Sequence, residues 1–197
     1  METNNHGDKK MRIISGSCKG KKLAPIAGKA IRPTSDRARE ALFNIIGSKT
    51  EEAVVLDLFA GTGALGLEAL SRGAARAFFI DISPESCAVI KKNIQLCRFQ
   101  ERGVVCCHDL SNRGIPGELE REKFDLIFMD PPYGSDLLAS TLADPGLVQR
   151  MKPDTTIIAE RSVKEKSPGE ISGLDIKDQR KYSKSLITFY EKKPPSL

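Results

Sequence analysis

Apolar and polar positions change their period several times along the chain. Residues 1–10 have no apolar pattern and are expected to be a disordered extension; Met11 begins a stretch that reads well as a protein start. MRIISGSCKGKKLAPI places two short apolar runs around a Gly/Ser/Lys turn, the pattern of a small β-hairpin. IRPTSDRAREALFNIIG then predicts a helix. Thr34 or Ser35 can cap it, Asp36 and Glu40 suit its first turns, and Ala38, Leu42, Ile45 and Ile46 form an apolar stripe that Gly47 can end.

From residue 53 strands and helices alternate. AVVLDLFA, ARAFFIDI, GVVCCHDL, KFDLIFMDPPY and TTIIAE read as strands, the first a continuous apolar run of the kind buried in a parallel sheet. GALGLEALSRG is a helix ended by Gly73. SPESCAVIKKNIQLC has Ser83 at the N-cap, Pro84 at the first helical position, and Cys87, Ile90, Ile94 and Cys97 on one face. DLLASTLADPGLVQRM is helical with a break near Pro145, and two strand-like runs follow, around Leu174–Asp175 and in SLITFYE. This order predicts an α/β fold: a doubly wound, mostly parallel, Rossmann-like seven-stranded sheet with an antiparallel edge. The expected division is a basic hairpin and helix over 11–49, the α/β domain over 50–192 and a tail over 193–197.

Composition narrows the classes. The 197 residues, 40% hydrophobic and 29% charged, make one globular unit that needs no metal or disulfide staple. Its longest apolar runs are too short to span a bilayer, so no membrane partner is expected. The polar first residues give no secretory leader, so the protein is expected in the cytoplasm, with Cys18, Cys87, Cys97, Cys106 and Cys107 as reduced thiols. The net charge of +5 is uneven. Residues 1–49 hold 11 Lys or Arg against 4 Asp or Glu, and the remainder holds 20 against 22. A basic segment on a near-neutral body suits either a polyanionic partner or a solvated surface.

The first candidate chemistry lies where the first strand meets the first helix of the alternating part. In DLFAGTGALG, Gly61 and Gly63 allow positive φ around Thr62 and close approach of a ligand to the backbone, and Gly66 permits tight helix–strand packing. Asp81 ends the second strand 20 residues after Gly61 and can accept both hydroxyls of a ribose. That much fits any adenosine-bearing cofactor, NAD included. Asp57, four residues before Gly61, shifts the choice: a carboxylate there suits an ammonium and is a poor neighbour for a pyrophosphate. S-adenosylmethionine has the ammonium and no phosphate. Asp109, at the end of the third strand, is either an acceptor for the adenine amino group or an ordinary loop cap.

The second is Asp130-Pro131-Pro132-Tyr133, at the carboxyl end of the fourth strand, where ligands of open α/β sheets bind. Two prolines fix φ and remove two backbone donors, which leaves acceptors: the Asp130 carboxylate and the backbone carbonyls. Such a set suits the exocyclic amine of a base. Its lone pair is delocalised, and accepting both hydrogens at Asp130 and the Pro131 carbonyl favours a pyramidal, nucleophilic nitrogen. Tyr133 can stack on the base and align it with a methyl donor.

These motifs, in this order, resemble class I S-adenosylmethionine-dependent amino methyltransferases. RIISGSCKGKKL, RPTSDRAREALFNII, LDLFAGTGALGLEALSRGA and FDLIFMDPPY together resemble the RsmD family, over roughly residues 11–191. The resemblance implies transfer of a methyl group from S-adenosylmethionine to N2 of a guanine in small-subunit (16S) ribosomal RNA, with the RNA or an assembling small subunit as partner. It also implies that the segment from Arg32 to Glu40 lies by the methionine end of the cofactor and the substrate entrance, with Arg32, Thr34 and Arg37 as substrate candidates beside Lys19, Lys21 and Lys22. The family often has Phe at the position of Tyr133, which speaks against a role for the hydroxyl.

Cys106-Cys107-His108-Asp109 resembles a metal cluster only on paper. Successive strand residues face opposite sides, and no CxxC pair completes a site, so no metal is expected and the two thiols are read as buried in a core strand. Three other functions stay open: a DNA adenine-N6 or cytosine-N4 methyltransferase, though no segment is long enough for a target-recognition insertion; an NAD oxidoreductase, disfavoured by Asp57 and the DPPY segment; and a non-catalytic RNA-binding assembly factor on the same fold.

Overall fold

The computed structural model describes residues 11–27 and 36–193, with 112–113 as backbone only. Residues 1–10 and the candidates Arg32 and Thr34 lie outside the described residues.

Seven strands form one sheet: β1 (Val54–Leu58), β2 (Arg76–Asp81), β3 (Gly103–Cys107), β4 (Phe124–Met129), β5 (Met151–Ser162), β6 (Leu174–Tyr182) and β7 (Ser185–Lys192). Their order is β3-β2-β1-β4-β5-β7-β6. The ladders from β3 to β5 are parallel, and β7 runs antiparallel to both β5 and β6. The chain steps outward from β1 to β3 and then returns to β4 beside β1. That reversal opens a crevice at the carboxyl ends of β1 and β4.

Helices cover both faces, which is why the central strands are apolar at successive positions. Val55, Ala77, Phe79, Leu126, Phe128, Ile158 and Phe189 point to one side. There they pack with Leu42 and Phe43 of α1 (Asp36–Ile46), Leu67 and Leu70 of α2 (Ala64–Ser71), and Ile90 and Ile94 of α3 (Pro84–Cys97). Leu56, Phe78, Ile80, Ile127, Met129 and Ile157 point to the other, onto Leu110 of α4 (Leu110–Arg113), Leu138 and Leu142 of α5 (Leu137–Leu142) and Leu147 of α6 (Pro145–Gln149). Among the described residues no helix is long and apolar enough to cross a membrane.

The Thr34 or Ser35 cap lies outside the described residues, and two other helix starts are capped. The Ser83 hydroxyl accepts the Ser86 N–H, with Pro84 at the first helical position, and the break near Pro145 is a new N-cap, where Asp144 accepts the Gly146 N–H. Three expectations need correction. The buried face of α1 is Ala38, Arg39, Leu42, Phe43 and Ile46, while Ile45 is 44% exposed. The stripe is rotated because Phe43 packs on Phe128 of the sheet, ring centroids 5.6 Å apart. Cys106 and Cys107 are not buried: β3 is the sheet's edge, Cys106 is half-buried and Cys107 exposed. The N-terminal hairpin is irregular, with a single bridge between Arg12 and Lys22. Backbone bonds from Ile13 to Lys21 and from Leu23 to Met11 close it, and Ile13 and Leu23 join the core under α2 and α3.

Candidate active site

Side chains alternate along a strand, so the face that buries Val55, Phe79, Phe128 and Ile158 continues two residues on in each strand at Asp57, Asp81, Asp130 and Glu160, with Asp57 one pair deeper, in register with Phe79 and Phe128. Apolar residues therefore give way to acids on one face, at the point where the strands reach the crevice. All four acids line a cavity of about 540 Å³, a volume suited to a cofactor. Its wall also includes Gly61, Thr62, Ile82, Ser83, Pro131, Pro132, Tyr133, Met11, Ile26 and Arg39.

The glycine loop is held from beneath. Gly61 and Gly63 adopt φ of +55° and +77°, so both sit in the left-handed region that disfavours a side chain. Asp81 accepts the Gly61 N–H at 2.8 Å through one carboxylate oxygen and the Ser83 N–H at 2.9 Å through the other. It thereby ties the loop after β1 to the turn after β2. Gly66 has no space for a Cβ, which would lie 2.4 Å from the Phe79 ring. That close approach lets its N–H reach the Asp57 carboxylate at 2.9 Å. Burial, assisted by the charges of Asp130 and Asp81, raises the Asp57 pKa to about 8 despite that hydrogen bond. Phe59, before the loop, also has a positive φ of 59°, an uncommon conformation for a bulky residue, where the chain leaves β1.

Asp130 lies at the end of β4. Burial and neighbouring Glu160 raise its pKa to about 7. The Tyr133 ring is 48% exposed. Its hydroxyl donates to Glu160 at 3.1 Å and lies 3.2 Å from the Ser185 hydroxyl. The ring is thus fixed against β5 and β7, and the hydroxyl is not idle.

The hairpin meets the sheet through α2. Glu68 is fully buried, and its carboxylate accepts the N–H groups of Ile14 and Ser15 at 2.7 and 2.9 Å and Arg72 Nε at 2.8 Å. The Ser71 carbonyl accepts the Ser17 N–H and its hydroxyl oxygen accepts the Cys18 N–H, while that hydroxyl donates to the Ser15 carbonyl. Gly16, at φ +80°, passes so close that a Cβ would lie 1.8 Å from the Ser71 carbonyl oxygen. Buried Asn93 of α3 ties the returning segment to the loop: its amide donates to the Thr62 and Ala24 carbonyls, and its oxygen accepts the Ala24 N–H. Arg39 is 1% exposed, donates to the Arg12 carbonyl and to Asp36, and its Nε has no hydrogen-bond partner among the described residues.

The structure thus brings Asp57, Gly61, Thr62, Asp81, Asp130, Pro131, Pro132 and Tyr133 to one cavity. Gly63 sits behind the loop, where a Cβ would meet Phe79 and Ile90. Asp109 does not line the cavity; its carboxylate accepts the Ser111 N–H and hydroxyl at the start of α4. Arg37, Lys19, Lys21 and Lys22 are exposed. Among the described residues no cluster of three or more His, Cys, Asp or Glu side chains could hold a metal ion. Glu160 and Arg39 are the charged cavity residues that sequence reasoning missed. Glu160 could have been found as the acid interrupting the apolar run TTIIA, in the manner of Asp81 after AFFI.

This sheet order, with a glycine loop after β1, an acid ending β2 and DPPY after β4, defines a class I S-adenosylmethionine-dependent methyltransferase. Residues 11–191 match the family model described as conserved hypothetical protein 95, and the chain belongs to that family, the RsmD family. It is 34% identical to the Bacillus subtilis protein YlbH, provisionally named an rRNA methyltransferase, over 184 residues that cover 93% of this chain and 100% of that one. It is 37% identical to the Escherichia coli K12 ribosomal RNA small subunit methyltransferase D over 142 residues, 71% of this chain and 68% of that one. A solved Escherichia coli chain, yhhF, provisionally named a methyltransferase, superposes with a TM-score of 0.78 at 29% identity, covering 93% and 98% of the two chains.

Proposed function

We propose that this protein methylates the exocyclic N2 of a guanine in small-subunit (16S) ribosomal RNA, presented by the RNA or by an assembling small subunit. The observation that carries the reading is the row of acids at the carboxyl edge: Asp57 and Asp81 on the glycine-loop side, Asp130 on the DPPY side, all facing one cavity.

The residues present fit S-adenosylmethionine. The Gly61 turn is open, with nothing within 4 Å of where a Cβ would stand. Asp57 matches the methionine ammonium, Arg39 with its unpartnered Nε matches the methionine carboxylate, and Asp81 has acceptor capacity beyond the two backbone N–H groups it holds. Bound S-adenosylmethionine supplies a methyl group on a positively charged sulfur. Asp130 and the Pro131 carbonyl accept the hydrogens of the flipped-out base amine, and Tyr133 stacks on the ring. The N2 lone pair forms the new C–N bond as the S–C bond breaks, and the surplus N2 proton leaves through Asp130. Its pKa near neutrality suits that task. Lys19, Lys21 and Lys22 lie on the exposed hairpin turn and bind phosphates.

Incubation with labelled S-adenosylmethionine and unmodified small-subunit particles, followed by mapping of the labelled nucleoside, tests this. N2-methylguanosine at one position is the expected product. Label in N6-methyladenosine or N4-methylcytidine, or no label, would refute it.

A further inference from the structure

Glu160 is not required by the chemistry above, yet it is built into the site. It continues β5 one residue past the Met129–Ala159 pair of the β4–β5 ladder, so it stands beside Asp130 at the next register position. Adjacent strands are about 4.8 Å apart, and residues at paired positions of a parallel ladder face the same side. Two carboxylates therefore stand next to one another at the end of the cavity where the base amine is held. Placing a second acid 9% exposed beside the first is costly, and burial with this neighbour raises the Asp130 pKa. The side chain is also held in place, since the Tyr133 hydroxyl donates to it at 3.1 Å, with Ser185 at 3.2 Å behind that hydroxyl.

The pairing edges of the bases differ in what two adjacent acceptors would meet. Guanine presents two neighbouring donors, N2–H₂ and N1–H. Adenine presents N6–H₂ beside the lone pair of N1, and cytosine N4–H₂ beside the lone pair of N3. A carboxylate next to the amine-binding Asp130 accepts from N1–H of guanine and faces a repelling lone pair in the other two. We infer that Glu160 is the residue that selects guanine, by accepting its N1–H while Asp130 holds N2, with Tyr133 and Ser185 fixing the carboxylate. This deepens the proposed function and rests on it. Selectivity arises as much from rejection of the wrong edge as from attraction to the right one.

The test compares two bases that both carry the 2-amino group. In 2-aminopurine, N1 is an acceptor rather than a donor. Small-subunit RNA is prepared with either guanine or 2-aminopurine at the mapped target, and kcat/KM is measured for the full-length wild-type protein and for Glu160→Gln. The wild type is expected to favour guanine by about 100-fold, the upper value for a hydrogen bond to a charged group that the analogue cannot make. Glu160→Gln, whose amide can turn its NH₂ toward N1, should reduce that preference to below about 10-fold. Its cofactor affinity should match that of the wild type, and it should melt no earlier, since the substitution removes one of two adjacent buried charges. If Glu160→Gln melts early, Glu160→Asp, which keeps the charge and shortens the reach, should narrow the preference as well. A preference unchanged in a folded variant overturns the role of Glu160 and leaves guanine methylation standing. A wild-type protein that does not methylate the guanine RNA overturns both.

Discussion

Asp81 holds Gly61: one carboxylate oxygen accepts the loop N–H at 2.8 Å, and the other accepts the Ser83 N–H at 2.9 Å. The acid read from its spacing as a ribose ligand is therefore also the strut of the glycine loop. Asp81→Ala should weaken S-adenosylmethionine binding through both roles. A charge-assisted hydrogen bond contributes about 1.5–3 kcal/mol, so a loss of at least about tenfold in affinity is expected by calorimetry. Unchanged affinity would remove Asp81 from the cofactor site.

Asp130→Ala should abolish turnover while cofactor affinity stays within a small factor. Its carboxylate lines the cavity beside Pro131, Pro132 and Tyr133, where the base amine is proposed to sit, and no other group on the DPPY segment is a base that could take the amine proton. Single-turnover rates beside calorimetry separate the two effects. Near-normal turnover would sink the DPPY mechanism.

Tyr133 tests ring and hydroxyl separately. Base–aromatic stacking contributes about 1–3 kcal/mol, so Tyr133→Ala should lose about tenfold or more in rate. The family resemblance implies a dispensable hydroxyl, but here the hydroxyl bonds Glu160. Tyr133→Phe should therefore stay active with a loss of about fivefold, the value of one hydrogen bond of about 1 kcal/mol. Thermal melts beside the rates identify any loss that is only one of stability.

Acidity should stabilise the cofactor-free protein. The Asp57 pKa is about 8 in the folded state, far above the ordinary carboxylate value near 4. Between those values the folded state keeps a proton that the unfolded state has released. Stability therefore falls as pH rises through this window, by at most about 1.4 kcal/mol per pH unit for one group, and levels off above it. Asp130, raised to about 7, adds the same slope over the lower part. Urea midpoints at a series of pH values should show the decline, and Asp57→Asn should flatten it.

Replacing Lys19, Lys21 and Lys22 with Glu should weaken RNA binding and lower its salt slope by about 0.7–0.9 for each phosphate no longer neutralised. An unaltered slope would mean that the exposed turn faces only solvent.

What the sequence made legible follows from how local each signal is. Ser83-Pro84, the Gly61 turn and the β6–β7 pair are specified within a few residues, and the structure matches them. Arg39 was hidden because helical periodicity assigns an arginine to solvent; only the hairpin packed over α1 and α2 buries it. Glu160 was hidden because its meaning comes from register with Asp130 on a strand 30 residues away. Cys106 and Cys107 were misread because the run GVVCC does not say whether its strand lies at the centre or the edge. The hydrogen bonds of the Tyr133 hydroxyl with Glu160 and Ser185 join three separate segments, which no motif spans.

The seating of the hairpin on Glu68 and Ser71 also fixes a length. The N-terminal end of α2 joins the glycine loop at Gly63, and its C-terminal turn grips Ile14, Ser15 and Cys18. At 1.5 Å per residue these eight residues span about 12 Å. The lysine turn and the glycine loop are thus mounted on opposite ends of one rigid rod. On the proposed reading, in which the turn binds phosphates and the loop holds the methyl donor, the rod sets the distance between the anchoring phosphates and the nucleotide that is methylated.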